Sequence, residues 1–123
     1  MDYLQCEYGY VSELGQFLIP RSMQKESDIN VSPQGYVTLV TCVVENDHIS
    51  LEHHSIVSLE DHKKMKESKP KEMRAIDEMG RVILPKAQRD RLQISPDSII
   101  ASYLLQDGTI KIKPVTTLVT IAS

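Results

Sequence analysis

Tryptophan is absent from this chain of 123 residues, and phenylalanine occurs once. A hydrophobic core must therefore be aliphatic, built mainly from isoleucine, valine and leucine. No apolar run approaches the roughly 18 residues of a membrane span, and no signal peptide is visible at the N-terminus. The two cysteines, Cys6 and Cys42, lack a CxxC spacing, so we expect reduced packing residues, with a disulfide between them as the alternative. These absences predict a cytoplasmic protein of one domain or two very small ones.

The usual signatures of an enzyme are also missing. The five glycines are scattered and form no phosphate-binding GxxxxGK loop, and the serines lie in no nucleophile-elbow pattern. Four histidines cluster in sequence, but no pair has the spacing of a zinc-binding helix; they are His48, His53, His54 and His62. We therefore expect no catalytic residues, no metal site and no cofactor.

Charge is distributed very unevenly along the chain. The first half, residues 1–60, has 2 basic and 9 acidic side chains and a net charge of −7. The second half, residues 61–123, has 12 basic and 8 acidic side chains and a net charge of +4, so the two halves sum to the −3 of the whole chain. Such asymmetry indicates an anionic partner for the second half.

A segment of the second half has a diverged copy 65 residues earlier. Aligned without gaps, the first copy (residues 11–20) and the second copy (residues 76–85) share a glutamate, a glycine and a proline, the glycines being Gly15 and Gly80. Five further positions are apolar in both copies, so eight of ten positions agree in character. A repeat of this kind predicts two structural units of the same plan.

Each unit is predicted to contain short strands around a glycine turn, a short helix that begins after a proline, and a hairpin. In the second unit these are residues 74–77, 81–84, 86–92, 99–105 and 109–113; in the first they include 17–19, 21–28, 36–44 and 48–51. The Thr/Val-rich residues 115–122 are compatible with one more strand. The predicted division is an acidic unit at 1–52, a charged, solvated linker at 53–72 with room for one or two helical turns, and a basic unit at 73–123.

A unit of four short strands and a short helix cannot bury both of its faces. Two such units that interleave their hairpins would close a small barrel without free edges, so the predicted fold is mainly β. The two copies can pair within one chain, or like copies can pair across two chains. We favour pairing within the chain, because the linker keeps the two units at high local concentration.

The second copy with its flanking residues resembles the AbrB/SpoVT family of bacterial and archaeal DNA-binding regulators and antitoxins, which form swapped-hairpin barrels. The resemblance rests on an alternating strand, the sequence Asp-Glu-Met-Gly-Arg-Val-Ile-Leu-Pro, a short arginine-bearing helix, and a hairpin that ends in Ile-Lys-Ile-Lys. It covers residues 74–113 well and residues 11–51 weakly. The tandem arrangement is similar to that of the MraZ proteins.

The resemblance implies that arginines around the turn and on the short helix contact DNA. Carried over by position, these are Arg74, Arg81 and Arg89, which align with Gly9, Gln16 and Gln24 of the first half. Where many family members have a second consecutive arginine on the helix, this chain has Asp90. With the two other cations of that helix, the candidate DNA-binding residues are Arg74, Arg81, Lys86, Arg89 and Arg91.

Arginines suit such a surface because they bond phosphate oxygens and reach guanine edges through two parallel hydrogen bonds. The predicted function is a sequence-specific, AbrB-type transcription regulator that binds double-stranded DNA as a homodimer at the nucleoid. The alternative is an antitoxin or interaction module whose acidic first half binds a basic protein partner.

Overall fold

The structure, a computed structural model, describes residues 3–27, 29, 31–96 and 98–115. It is mainly β, as predicted, with antiparallel strands and short helices. Beyond Val115, the strand considered at residues 115–122 lies outside the described residues. The elements are β1 (Tyr3–Tyr10), β2 (Gln16–Leu18), α1 (Arg21–Glu26), β3 (Tyr36–Glu45), β4 (His48–Ser58), α2 (Leu59–Lys64), β5 (Met73–Ile76), β6 (Arg81–Ile83), α3 (Lys86–Arg91), β7 (Ile99–Leu105) and β8 (Ile110–Pro114).

Strands of the two halves pair with each other within the chain. Six strands form one sheet in the order β1-β7-β8-β4-β3-β5. The first strand of the first half, β1, pairs with β7, and Tyr10 lies opposite Ile99. The first strand of the second half, β5, pairs in turn with β3, and Ile76 lies opposite Thr38. Each half therefore places its first strand beside the long strand of the other half.

The remaining strands, β2 and β6, form a separate two-stranded ribbon. Phe17 lies opposite Val82 at its centre, and these two residues are 65 positions apart, as in the sequence repeat. On either side, Gln16 lies opposite Ile83 and Leu18 lies opposite Arg81. Because equivalent residues meet at the centre, the two copies are related by an approximate two-fold axis through the ribbon.

The core lies between the ribbon and the six-stranded sheet. Phe17 is 2% exposed and Val82 is 1% exposed, and both belong to one buried cluster with side chains of the sheet. Both halves contribute to this cluster, so neither half has a separate core there. Its other fully buried large side chains are Ile19, Met23, Ile29, Ile49, Leu51, Leu84, Ile100, Leu104, Ile110 and Ile112.

Hydrogen bonding among the described residues leaves the sheet open rather than closed into a barrel. β1 and β5 each have one neighbour and form its two edges. The strands β2 and β6, three residues long each, pair with one another instead of extending either edge. The expected closed barrel is therefore not seen in the described part of the chain, because the two short strands pair apart from the six-stranded sheet and do not join its edges.

The segment between the two halves contains more regular structure than a solvated linker. β4 continues to Ser58 and pairs with β3 as far as Tyr36, so residues 53–58 of the predicted linker are strand. Ser58 then caps α2, since its Oγ accepts a hydrogen bond from Asp61 N at 3.1 Å. The outer half of β4 exposes polar side chains such as His53 and His54, which obscured the strand in the sequence. Among the described residues, no helix is long and apolar enough to cross a membrane.

Candidate nucleic-acid interface

The two glycine turns lie at opposite ends of the ribbon, because β2 and β6 are antiparallel and each begins directly after its turn. In the first turn, Ser12 Oγ accepts a hydrogen bond from Gln16 N at 3.1 Å. In the second, Asp77 Oδ1 accepts one from Arg81 N at 2.8 Å. The glycines have φ of +83° and +85°, which favours glycine at both places. The same backbone turn thus presents a glutamine at one end of the ribbon and an arginine at the other.

Arg81 is held in a defined orientation by the residue that begins its turn. Its Nε donates to Asp77 Oδ2 at 2.7 Å, and its side chain stays 45% exposed. Partial burial alone would raise the pKa of Asp77, but hydrogen bonds from Arg81 and Met79 outweigh that effect and lower the pKa from its ordinary value of 3.8. The ionised carboxylate holds Nε, and the outer Nη nitrogens can face an anion in solvent.

Arg89 lies over the opposite turn and is half-buried there. Its Nε donates to the carbonyl of Leu84 at 3.0 Å, and its guanidinium occupies the space that a side chain at Gly15 would need. The arginine of the second half thus covers the glycine turn of the first half. Its position contributes to folding as well as to the positive charge of the surface.

Gln24 makes the equivalent contact at the other end. Its Nε2 donates to the carbonyl of Ile19 at 2.8 Å, and its amide occupies the space beside Gly80. The alignment of Gln24 with Arg89 therefore describes a spatial equivalence as well as a sequence one. A neutral side chain covers one turn, and a cation covers the other.

The other two candidates of α3 are exposed. Lys86 Nζ donates to Asp90 Oδ2 at 2.9 Å on the solvent side of the helix. Arg91 lines an open pocket of about 450 Å³ together with Tyr8 of β1, Tyr103 of β7 and Lys113 of β8. The ion pair between Lys86 and Asp90 is exposed and therefore weak, so Lys86 can leave Asp90 and bind a stronger anion.

Arg74 lies apart from the other candidates, on the edge strand β5. It is half-buried, and its Nε donates to the carbonyl of Lys71 at 2.9 Å. Burial, with the charge of Arg74 as a smaller cause, lowers the pKa of Lys69. The structure therefore places Arg74 among lysines of the connecting segment and away from the turn that carries Arg81.

The five candidates do not form one continuous cluster. Lys86, Arg89 and Arg91 lie on α3 at the Gly15 end of the ribbon, Arg81 lies at the Gly80 end, and Arg74 lies on β5. The strands of the ribbon have three residues each, and two residue steps along a strand cover close to 7 Å. The two ends of the ribbon are therefore little more than 7 Å apart.

Sequence reasoning missed two cations that accompany Arg81. The helix α1 packs against the Gly80 turn through Gln24 and carries Arg21 and Lys25, both exposed. These cations belong to the acidic first half, so its net charge concealed them. The repeat alignment contained a signal, since Arg21 aligns with Lys86 at the first helical position after the shared proline.

The outer face of the ribbon and its turns exposes apolar side chains beside charged ones, which are Arg81, Glu13 and Glu78. Leu14 is 72% exposed and Met79 60%, one in each turn; Leu18 is 55% exposed and Ile83 41%, one in each ribbon strand. Both pairs are equivalent in the repeat. We call these four residues the ribbon patch. Flanked by cations at both ends, it is suited to a partner with negative charge at its periphery and apolar groups within.

The histidines of the sequence cluster are separated in the structure. His48 is buried beside Asp47, with Nδ1 3.2 Å from Oδ1, whereas His62 contacts Lys69 and His54 contacts Ser55. Within the described residues, no group of three or more His, Cys, Asp or Glu side chains is arranged to hold a metal ion.

Comparisons with known proteins leave the function open. No protein-family model matches the chain, and no curated protein matches it. Among solved structures, the chain is similar to the solution structure of PHS018 from Pyrococcus horikoshii, with 20% sequence identity over 94% of this chain and 92% of that chain, at a TM-score of 0.37. The resemblance to the AbrB/SpoVT family therefore rests on the sequence motif.

Proposed function

We propose that this protein is a sequence-specific, DNA-binding transcription regulator of the AbrB type, built from two diverged swapped-hairpin units that form one pseudo-symmetric body. The observation that carries the proposal is Arg81, oriented by Asp77 at the exposed end of the ribbon. The reciprocal pairing of β1 with β7 and β5 with β3 supports the two-unit description.

Cations at the two ends of the ribbon would contact phosphates on either side of a groove. Arg81 with Arg21 would act at one end, and Lys86 with Arg91 at the other. Between them, the ribbon patch would meet base edges and thymine methyl groups, which accept apolar contacts. Phosphate contacts would set the position of the protein, and Arg81 would supply base recognition.

The proposal includes a homodimer located at the nucleoid. One chain carries a single Arg81, whereas a two-fold symmetric DNA site is best matched by two copies of the same side chain. The acidic first half would limit binding to unrelated DNA, because its net charge of −7 repels phosphates.

A second candidate is an interaction module of a toxin–antitoxin pair. The ribbon patch favours it, since four exposed apolar side chains on one small face suit a protein partner as well as a DNA groove. In this alternative the acidic first half would bind a basic protein.

The test is a fluorescence anisotropy titration with the promoter DNA of the protein's own gene and with random DNA of equal length. A protein that contacts about four phosphates should lose affinity by roughly a hundredfold between about 50 and 200 mM salt. Preference for the promoter over random DNA would support a regulator. Salt-independent binding, or no binding at low salt, would contradict it and favour the protein-partner alternative.

A further inference from the structure

The two edges of the sheet are equivalent in the repeat but differ in their protection. The edge strand β5 has four residues, and the segment around it contains Pro70 and the cations Lys69, Lys71 and Arg74. Short length, proline and positive charge are the features that prevent an edge strand from pairing with another chain. The other edge strand, β1, has eight residues, no proline and a single charged side chain, Glu7.

The unprotected edge also exposes large apolar side chains. Tyr8 is 68% exposed, Tyr10 66%, Leu4 56% and Tyr3 48%. On a strand that is hydrogen-bonded on one side only among the described residues, such exposure favours pairing with a further strand.

Gly9 has no local reason to be glycine. Its φ is not among the positive values of the chain's glycines, and a side chain at this position would meet nothing within 4 Å. Glycine inside a strand reduces strand stability, and it is common where another backbone or ligand approaches closely. Gly9 thus leaves open space on an edge strand that is otherwise aromatic.

We propose that β1 pairs with β1 of a second copy of this chain, antiparallel and centred on Cys6, so that two sheets join into one. In this register Leu4 lies opposite Tyr8 of the second copy, and Gln5 lies opposite its Glu7. Tyr3, whose ring packs edge-to-face against Tyr103 of its own chain, lies opposite Gly9 of the second copy. By turning outward, that ring would fill the open space at Gly9, an aromatic–glycine pairing known to stabilise strands.

Competing registers are less favourable. A two-fold axis at Glu7 would place two carboxylates directly opposite each other, which destabilises an antiparallel pair. An axis at Tyr8 would pair only the last residues of β1, because the chain leaves the edge at Val11, which is buried and bridges to Phe17. The bulge between Tyr3 and Gln5 falls within the two terminal pairs of the Cys6-centred register, Leu4–Tyr8 and Tyr3–Gly9, and leaves the central pairs from Gln5 to Glu7 regular.

The inference is independent of DNA binding and is tested without DNA. Cys6 and Cys42 are the chain's two cysteines, and Cys42 is 1% exposed, where burial raises the pKa of its thiol to about 12. A short bifunctional thiol reagent should therefore link two chains through Cys6 alone. Cross-linked dimer is expected from the wild type and none from Cys6→Ser.

The second measurement is the mass of the protein in solution, determined at several concentrations in the micromolar range. Tyr8→Lys replaces the apolar contact between Tyr8 and Leu4 of the second copy with a charged side chain opposite a leucine, and it should weaken the dimer about tenfold or more, because the substitution enters it twice. The matched control is Tyr36→Lys, at a tyrosine 55% exposed on β3, which should leave the dimer unchanged. Gly9→Leu should also weaken the dimer. At concentrations where both proteins are monomeric it should not lower the melting temperature, since the single chain has room for the side chain.

Two outcomes would overturn the proposal. One is a monomer throughout the micromolar range. The other is a dimer that resists both Tyr8→Lys and Gly9→Leu and shows no link through Cys6, since its interface would lie elsewhere.

Discussion

The two glycine turns of this protein share a backbone and differ in charge. In each, a polar side chain at the first position accepts a hydrogen bond from the backbone N–H four residues later, Ser12 from Gln16 and Asp77 from Arg81. In each, a side chain from a short helix of the other half covers the glycine. The turn geometry is common to both halves, whereas the arginine is present in one.

The difference shows which features the fold requires and which it leaves free. The fold requires a hydrogen-bond acceptor at the start of the turn, a glycine, and a donor from the covering helix. A serine or an aspartate provides the first, and Gln24 or Arg89 provides the last. Charge at these places is therefore free to vary, and the second half carries Arg81 and Arg89 where the first half carries Gln16 and Gln24.

The largest effect is expected at the ribbon centre, where the two halves meet. Phe17→Ala should lower the free energy of unfolding by about 3–5 kcal/mol, since it removes the chain's single phenylalanine from a fully packed site. Val82→Ala, directly opposite, should cost about 2 kcal/mol, because fewer buried atoms are lost. Urea unfolding measures both changes.

Equal losses in the two variants would show that the halves contribute evenly to the centre, contrary to this expectation. An exposed residue of the same ribbon provides the control. Leu18→Ala should change the free energy of unfolding by less than about 0.5 kcal/mol.

The next effect concerns DNA affinity. Arg81→Ala should weaken binding to promoter DNA by about 1–3 kcal/mol if its guanidinium contacts a base edge. Gln16→Ala, at the equivalent position of the other turn, is the matched control and should have a much smaller effect. Anisotropy titrations at one salt concentration measure both. If the two variants bind alike, the turn of the second half has no special role in DNA binding.

We expect Arg89 to hold the Gly15 turn through its hydrogen bond to Leu84 and also to supply positive charge for DNA binding. Replacement by glutamine separates these two roles. Arg89→Gln should preserve the hydrogen bond to Leu84, as Gln24 preserves its bond to Ile19, and stability should change by less than about 0.5 kcal/mol. Arg89→Ala should lose about 1 kcal/mol, because that bond is removed. If Arg89 also contacts a phosphate, both variants should reduce the salt slope of DNA binding by about one.

A stability loss in Arg89→Gln as large as in Arg89→Ala would mean that charge, not hydrogen bonding, holds the turn. An unchanged salt slope in both variants would leave Arg89 with its folding role alone.

Much of the fold follows from the repeat. The alignment predicts both turns, both short helices and the hairpins, because glycine, proline and alternating apolar residues carry local structural information. α1 ends at Glu26 and α3 at Arg91, slightly earlier than the predicted 28 and 92. The extended β4 was missed, because exposed residues such as His53 and His54 hide its alternation.

The candidate site was less predictable, because it depends on contacts between distant segments. Nothing local indicates that Arg89 covers Gly15 or that α1 brings Arg21 towards the turn of Arg81. Counting charge by halves also left out Arg21 and Lys25, which belong to the acidic first half but lie on the helix that covers the Gly80 turn. Asp77 was predictable in principle, as an aspartate that begins a glycine turn.

The smallest expected effect is the response of the two turns to acid. Asp77 has a lowered pKa in the folded protein, so its ionised form contributes stability that is fully present above the pKa of the unfolded chain, 3.8. This contribution is lost as the pH falls through the lower folded pKa. Asp77→Ser gives the second turn the acceptor of the first turn and removes the charge.

At pH 7, Asp77→Ser should be less stable than the wild type by only about 0.5 kcal/mol, because the ion pair with Arg81 is partly exposed to solvent. The difference should shrink below pH 4 and vanish once Asp77 is protonated in the folded state. Ser12→Ala provides the comparison, since its effect should stay constant over the same pH range. Urea unfolding at several pH values measures all three proteins. A difference between wild type and Asp77→Ser that persists at the lowest pH would mean that the shape of the turn, and not its charge, distinguishes the two halves.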